Sequence, residues 1–372
     1  MAFVPDPLGK EVDLSPETWR TVSRASLALG RLDQASLQVP NPALLRRTTL
    51  RREGQSTSAL EGTFAPLERV LADDEDTDEA DPAGAAALLE VLNYVRAANH
   101  AFSWVQAGHK VTVGLLQAAQ RMLVTGTRAE QRDPGRIRTI QVVIGADRVP
   151  IEDARFVPMP PGVGLNAALQ DLVDWIDESG ERDPVVTAAM AHYQFEALHP
   201  FSDGNGRIGR LLIVLQLLRN GVLREPLVSV SPWFEERRAD YQRHLFNVSA
   251  HGDWDSWVRF FSAGLQGAAD DTLRTVEALL ELQDDYLERL KSGGVRGGIA
   301  RDIVTKLIGY PSFTVPSIRK RLEHATPQGV SHAVAQLVRL GILEKQERRY
   351  RHRYVAREVI DVLADGYWSS SA

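Results

Sequence analysis

Apolar residues recur at three- and four-residue spacing through most of the chain between residues 20 and 290. That period puts them on one helix face and predicts helices over 25–33, 58–72, 85–103, 111–123, 165–178, 184–198, 207–220, 235–248 and 254–290. In the run that opens at Arg207, for example, Ile208, Leu211, Leu212, Leu215 and Leu218 form the buried positions. Residues 138–157 break the pattern. Thr139-Ile140-Gln141-Val142-Val143-Ile144 is β-prone, Gly145-Ala146-Asp147 marks a turn, and Arg155-Phe156-Val157 returns before a proline cluster, which together predict a hairpin. From Val295 the chain changes character: 299–308, 315–322 and 327–340 read as helices, and 341–345 and 350–355 as short strands.

Composition narrows the class without changing that picture. The chain has 372 residues, 44% hydrophobic and 25% charged, as expected of a globular protein with two or three domains. It has no cysteine, which removes disulfides and thiolate metal sites. Met1 to Leu14 carries acidic residues and prolines where a signal peptide needs a basic start and an apolar core, and no run of about eighteen apolar residues occurs, so the expectation is a cytoplasmic protein outside the membrane. Charge is unevenly spread. The net charge is −6, yet residues 295–358 hold 13 Lys and Arg against 5 Asp and Glu. Asp73 to Asp81 is the acidic extreme and reads as an exposed loop between helices.

The chemistry concentrates in one stretch, His199-Pro200-Phe201-Ser202-Asp203-Gly204-Asn205-Gly206-Arg207-Ile208-Gly209-Arg210. Gly204-Asn205-Gly206 permits a tight turn in front of a helix, whose free N–H groups and positive dipole end suit phosphate. Arg207 and Arg210, three apart, share a helix face and match phosphate geometry. His199 is the base of the stretch that titrates near neutrality, and Asp203 is a hard oxygen ligand of the kind Mg²⁺ takes beside phosphates. No Gly-x-x-x-x-Gly-Lys-Ser/Thr loop occurs. Gly162-Val163-Gly164 follows prolines instead of a βαβ strand, which argues against a dinucleotide fingerprint.

The stretch matches in full the motif His-Pro-Phe-x-Asp/Glu-Gly-Asn-Gly-Arg-x-x-Arg, and by it the chain resembles the Fic family. The resemblance implies a mainly α-helical Fic-type core with a β-hairpin flap and an enzyme that transfers AMP from ATP to a protein hydroxyl of Ser, Thr or Tyr. It implies that His199 takes the proton and that Asp203 holds Mg²⁺, or Mn²⁺, on the phosphates. Gly204, Asn205 and Gly206 would bind ATP phosphates through their amides, and Arg207 and Arg210 would hold the outer phosphates. Gln141, Val142, Val143 and Ile144 would form the flap that pairs with the target's main chain; an aromatic is frequent in the family where this chain has Val143.

A second resemblance lies upstream. Thr57-Ser58-Ala59-Leu60-Glu61-Gly62 is similar to the family's inhibitory-helix motif, which implies that Glu61 pairs with Arg210. On its residues alone, Ser58-Ala59-Leu60-Glu61 also reads as a capping box at a helix start. The C-terminal elements come in the order of a winged helix-turn-helix. Gln328, Ser331, His332, Gln336 and Arg339 sit on its third helix and Arg348, Arg349, Arg351 and Arg353 on its wing, a pattern open to DNA contact through residues 295–358 or to protein docking. The division expected is an N-terminal helical region over 1–100, a catalytic core over 101–290 and a winged helix over 295–372. Removal of AMP, a self-modifying DNA-binding regulator and a homodimer stay open beside the leading reading.

Overall fold

The computed structural model describes residues 2–9, 12–37, 41–72, 82–145, 154–178, 180, 182–295, 297–323, 325–347 and 352–365. It is mainly helical. In chain order the N-terminal elements are α1 (Pro16–Ser36), α2 (Pro42–Leu60), α3 (Leu67–Leu71), α4 (Pro82–Gln106), α5 (Val113–Val124) and a 3₁₀ turn (Arg128–Gln131). They are followed by α6 (Val163–Asp177), α7 (Pro184–Leu198), α8 (Asn205–Arg219), α9 (Ser231–Glu236), α10 (Arg238–His251) and α11 (Trp254–Ser292). Helix starts coincide with side chains that accept from orphan amides: Ser15 bonds the Thr18 N–H at 3.3 Å, Thr112 that of Leu115 at 3.1 Å, and Asp183 those of Val185 and Val186 at 2.9 and 3.1 Å. Helices α7 and α8 are buried almost all round and pack against each other at the centre of the larger core; α1 lies along α11 on one side and α4 crosses α8 on another.

Helix α2 departs from the helix expected over 58–72. It begins at Pro42 and ends at Leu60, where Gly62 (φ 88°) turns the chain left-handed, and Thr63–Pro66 runs extended into the short α3. Much of its buried surface is polar, which hid it from apolar periodicity: Arg51, Arg52, Glu53, Ser56, Thr57 and Ser58 are all buried, beside Leu44, Leu45, Leu50, Ala59 and Leu60. Three consecutive residues are each held by partners of opposite kind. Arg51 donates to the carbonyls of Val70 and Ala72, the latter at 3.0 Å, and Arg52 pairs with Asp271 of α11 at 3.4 Å. Glu53 accepts from the Ser229 hydroxyl and the Ser231 amide, both at 2.9 Å, and from the Ser231 hydroxyl.

The hairpin expected over 138–157 reduces, among the described residues, to one bridge between Ile144 and Phe156; Ala146 and Asp147 of its turn lie outside them. Side chains take the carbonyls a ladder would use. Arg138 donates to the Ile140 carbonyl, and Gln141 Nε2 to those of Val142 and Pro158. The helix expected over 235–248 is broken at Arg237 into α9 and α10.

The C-terminal elements are α12 (Gly298–Lys306), β1 (Ser312–Phe313), α13 (Val315–Arg319), α14 (Pro327–Arg339), β2 (Glu344–Gln346), β3 (Arg353–Val355) and α15 (Arg357–Asp365). The strands form an antiparallel sheet in the order β1-β3-β2, with Tyr354 opposite both Phe313 and Lys345. The sequence predicts α12, α13, α14, β2 and β3 in this order for residues 299–355, but neither β1 between the first two helices nor the closing helix α15. On α14, Gln328, Ser331, His332 and Arg339 face solvent. Arg353 does not belong to an exposed wing: it is buried in β3. Arg348, Arg349 and Arg351, like the acidic run Asp73 to Asp81, lie outside the described residues.

This unit is not hung from a linker at 292–294. Its core continues into Val276, Leu279, Tyr286 and Leu290 of α11 and into Leu44, Leu45 and Leu71 of α2 and α3. Arg47 of α2 donates to the Gly309 carbonyl at 2.9 Å and lies over the Tyr310 ring, which Arg321 covers too, each guanidinium 4.2 Å from the centroid. Glu68 of α3 bonds Gln346 and Arg357, both at 3.2 Å, and Ala72 forms a parallel bridge with Ser312. Residue 100, expected to close the N-terminal region, falls inside α4. Removing residues 295–372 strips cover from these side chains, each worth about 1.5–3 kcal/mol when buried. The truncated chain should therefore melt at a lower temperature than the full chain and bind a hydrophobic dye, as calorimetry and dye fluorescence will show; an unchanged melting temperature would make the C-terminal unit independent.

Candidate active site

The site forms where α7 ends and α8 begins. His199 terminates α7 with a left-handed backbone (φ 49°, ψ 60°), and Gly204, φ 83°, opens α8 in the same region of φ/ψ. The left-handed conformation is costly for a side-chain-bearing residue, and its persistence at His199 reflects the bonds around it. Asn205 fixes the loop between them: its Oδ1 accepts the Phe201 amide at 2.8 Å and its Nδ2 donates to the Phe201 carbonyl at 2.7 Å. Gln120 of α5 donates to the Asp203 carbonyl at 3.1 Å. The turn is thus rigid before any ligand meets it, with the first amides of α8 facing a cavity.

That cavity has a volume of about 930 Å³, within the usual range for small-molecule sites. It brings together the residues that the two resemblances assign to the Fic site: His199, Asp203, the Gly204-Asn205-Gly206 turn, Arg207, Arg210, Glu61, and Gln141 to Ile144 on the flap segment. Its far wall is one face of α10, with Gln242, Leu245 and Phe246, and Arg155 reaches from the flap segment to Gln242 at 2.6 Å.

Arg210 is 2% exposed. Its Nε donates to Thr57 Oγ1 at 2.7 Å, and its Nη2 to the Thr57 carbonyl at 3.0 Å and to Glu61 Oε1 at 2.6 Å. Glu61 therefore lies just past the end of α2 and is not the third residue of a capping box; its carboxylate, 38% exposed, turns into the cavity. Burial pushes its pKa up, but the charge and hydrogen bond of Arg210, aided by Arg207 and His199, prevail and hold it below the usual carboxylate range. Arg207 is engaged as well, with Glu90 of α4 at 3.0 Å and Asp203 at 3.2 Å. Asp203, 27% exposed, also meets Arg132 at 3.8 Å.

Burial pushes the His199 pKa down to about 4; Glu61 and the Glu196 backbone oppose this, while Arg138 adds to it. The imidazole is therefore neutral at physiological pH, and with Nδ1 buried, Nε2 is the nitrogen left for the cavity. Three further groups escaped sequence reasoning. Glu196, one turn before His199 on α7, has a buried Oε1 without a hydrogen bond, and burial raises its pKa to about 7 against the pull of Arg210. His192 donates from Nδ1 to the Gly209 carbonyl at 3.0 Å, so its Nε2 accepts from the Tyr241 hydroxyl at 2.7 Å. Arg138 is buried behind the loop. The spacing of Glu196 and His192 from His199, three and seven residues on one helix, was the available signal.

A helix N-terminus with bare amides, two guanidiniums, a carboxylate and a neutral imidazole share one cavity, an arrangement whose chemistry suits phosphate. Residues 19–103 match the Fic/DOC family N-terminal model and residues 110–217 the Fic/DOC family model. The chain belongs to the Fic/DOC family. A Fic family protein of Desulfovibrio desulfuricans superposes over 93% of this chain and 97% of its own with a TM-score of 0.59 at 23% identity, a likeness of fold. Protein adenylyltransferase fic-1 of Caenorhabditis elegans is 38% identical over 134 residues, 36% of this chain and 23% of that protein. Protein adenylyltransferase Fic of Nematostella vectensis is 30% identical over 194 residues, 51% and 38% of the two chains. The matched stretches thus span well under half of these relatives. Among the described residues no helix is long and apolar enough to cross a membrane.

The buried imidazole has a consequence for stability. Its folded pKa, about 4, lies below its ordinary 6.5, so between these values the unfolded chain binds the extra proton. His199 therefore contributes stability that is complete above about pH 6.5 and is lost as pH falls through 4. His192, driven by burial to about 3, acts in the same direction; Glu196 acts oppositely, its contribution fading as pH rises through about 7. His199→Asn should flatten the fall in melting temperature between pH 6.5 and 4 relative to the unaltered chain. Parallel melting curves for the two would show that His199 titrates normally.

Proposed function

We infer that the chain is a protein adenylyltransferase that moves AMP from ATP to a hydroxyl of a target protein and is held inactive by Glu61. The observation that carries this is the Arg210–Glu61 contact in the cavity that also holds His199 and the α8 N-terminus. The adenylyltransferase relatives support the chemistry. In the reaction the target oxygen attacks the α-phosphorus, the bond from that phosphorus to the bridging oxygen breaks, and pyrophosphate leaves. The hydroxyl proton passes to His199 Nε2.

The amides of Gly204 to Gly206 and the guanidiniums of Arg207 and Arg210 balance the phosphate charge. A triphosphate arriving beside the imidazole raises its pKa from about 4 toward neutrality, so base strength develops as substrate binds. The residues fit Mg²⁺ in one way only. Among the described residues no cluster of three or more ligating side chains exists, so Asp203 would hold the ion together with phosphate oxygens and water, and the ion would neutralise charge on the phosphates. Asp203 would exchange its contact with Arg207 for that role.

Glu61 opposes all of this from within the cavity. It occupies the guanidinium meant for the outer phosphate and brings a negative charge toward a polyanion. Removal of AMP, with Glu61 orienting water, is the second reading, favoured by the half-exposed Glu61 carboxylate sharing the cavity with His199. The solvent-facing Gln328, Ser331, His332 and Arg339 of α14 support DNA as a further partner.

Labelled ATP separates these readings. Glu61→Gly should incorporate AMP about 10²-fold faster than the unaltered chain, since misplacement by about 1 Å costs that much. Adding Arg210→Ala should abolish the gain, and adding His199→Ala should lower the rate about 10²–10⁴-fold while ATP binding persists. Equal incorporation by the unaltered chain and Glu61→Gly would remove autoinhibition; faster AMP release by the unaltered chain would favour the hydrolase.

A further inference from the structure

Arg138 sits between the 3₁₀ turn and the flap segment, 1% exposed, and is not among the residues lining the cavity. Its Nε donates to the His199 carbonyl at 2.8 Å, its Nη1 to that of Ile140 at 3.1 Å, and its Nη2 to those of Leu198, at 3.3 Å, and Met159. Its own amide donates to the Pro200 carbonyl at 2.9 Å. One residue thus gathers the end of α7, the outgoing flap segment and its return. None of these partners is a carboxylate. A guanidinium buried among neutral carbonyls is expensive, and an apolar side chain would fill the volume at lower cost. The charge therefore has to be explained by its location.

That location is the C-terminus of α7, where unpaired carbonyls carry partial negative charge that a cation offsets. It is also the point where His199 adopts a conformation unfavourable for a residue with a Cβ, directly before a proline that further restricts it. We propose that Arg138 is the positioning residue of this site: it locks the His199 backbone in its left-handed form and ties the flap segment to the same carbonyls. The base and the segment along which a target would lie are then fixed relative to one another. This rests on the adenylyltransferase reading only for its kinetic consequence; the geometric role stands without it.

The electrostatics agree. Arg138 helps to keep the imidazole unprotonated and ready to accept, against Glu61 beyond α2 and Glu196 on α7. The other charged or titratable groups around the same cavity are Asp203 on the loop, Arg207 and Arg210 on α8, Glu90 on α4, Tyr193 on α7, Arg238 and Tyr241 on α10, Arg128 and Arg132 at the 3₁₀ turn, and Arg155 on the flap segment. A neutral replacement removes one of the influences that oppose protonation.

Arg138→Met and Arg138→Lys in the full chain test the assignment, with Glu61→Gly added for kinetics. In Arg138→Met, NMR of labelled histidine should show His199 titrating at higher pH, and exchange of the Ile144 amide, bonded to the Phe156 carbonyl, should speed up. The kcat for AMP transfer should fall about 10²-fold with the KM for ATP unchanged, because the phosphate cradle is untouched. Arg138→Lys keeps the charge but cannot span four carbonyls, so His199 should titrate as in the unaltered chain while kcat still falls. If Arg138→Met does not fold, that split in Arg138→Lys carries the test. An unmoved His199 titration with unchanged Ile144 exchange in Arg138→Met, unaltered kcat in Arg138→Lys, or equal losses in kcat and ATP affinity would overturn the proposal. Absence of AMP transfer by Glu61→Gly itself would overturn the enzymatic reading instead, and the titration and exchange results would still decide the role of Arg138.

Discussion

Arg210 is a permanent cation of which only 2% of the surface is exposed, and much of the molecule is arranged to make that tolerable. Thr57 supplies its hydroxyl and its carbonyl, and Glu61 a carboxylate oxygen. All three acceptors belong to the last turn of α2 or the residue following it, so α2 must end where it does. The polar surface of α2 follows from the same requirement. A helix that delivers acceptors to a buried guanidinium cannot present an apolar stripe there, and it is held in place by Arg51, Arg52 and Glu53, each matched with a carbonyl, a carboxylate or a hydroxyl. Such a helix is specified by polar complementarity as well as by the burial of Leu44, Leu45, Leu50 and Leu60, and any change that leaves one of these polar partners buried alone is strongly destabilising.

The cavity shows charge balance used in two ways. Arg207 and Arg210 are both neutralised by protein carboxylates, Glu90 and Asp203 for the first and Glu61 for the second. A phosphate ligand competes with those carboxylates for donors already aimed at the right place. His199 is kept in its neutral form by burial, and Glu196 holds a proton into the neutral range for the same reason. Desolvation thus moves an acid and a base in opposite directions within one helical turn, each toward its uncharged form.

How much of this was legible in the sequence depended on whether the determinants were contiguous. The turn from His199 to Arg210 is a single segment, and its residue types dictate a glycine-opened helix N-terminus with guanidiniums behind it, as the structure has it. Glu61 was readable only through resemblance; on its residues alone the capping box competed, and the choice turned on where α2 ends. That end could not be read from periodicity because Arg, Glu, Ser and Thr interrupt the apolar residues on the buried face of α2. The flap was read as a ladder, yet Arg138 and Gln141 satisfy its carbonyls with side chains. Glu90, Arg138 and Tyr241 reach the site or its supports from distant segments, and only tertiary packing assembles them.

Helix α2 is also a stiff object of known size. Its 19 residues make a rod about 28 Å long. One end is seated in the C-terminal unit through Leu44, Leu45 and the stacking of Arg47 on Tyr310; the other carries Thr57 and leads directly into Glu61. Considered as a lever pivoting at the seated end, a tilt of about 2° carries the far end about 1 Å. A donor–acceptor separation of 2.6 Å stretched by that amount no longer counts as a hydrogen bond. The contact on Arg210 therefore depends on the seat of α2 some 28 Å away as well as on the bonds of Arg51, Arg52 and Glu53 along the rod, and a small angular displacement that these permit is magnified into the loss of the Glu61 contact.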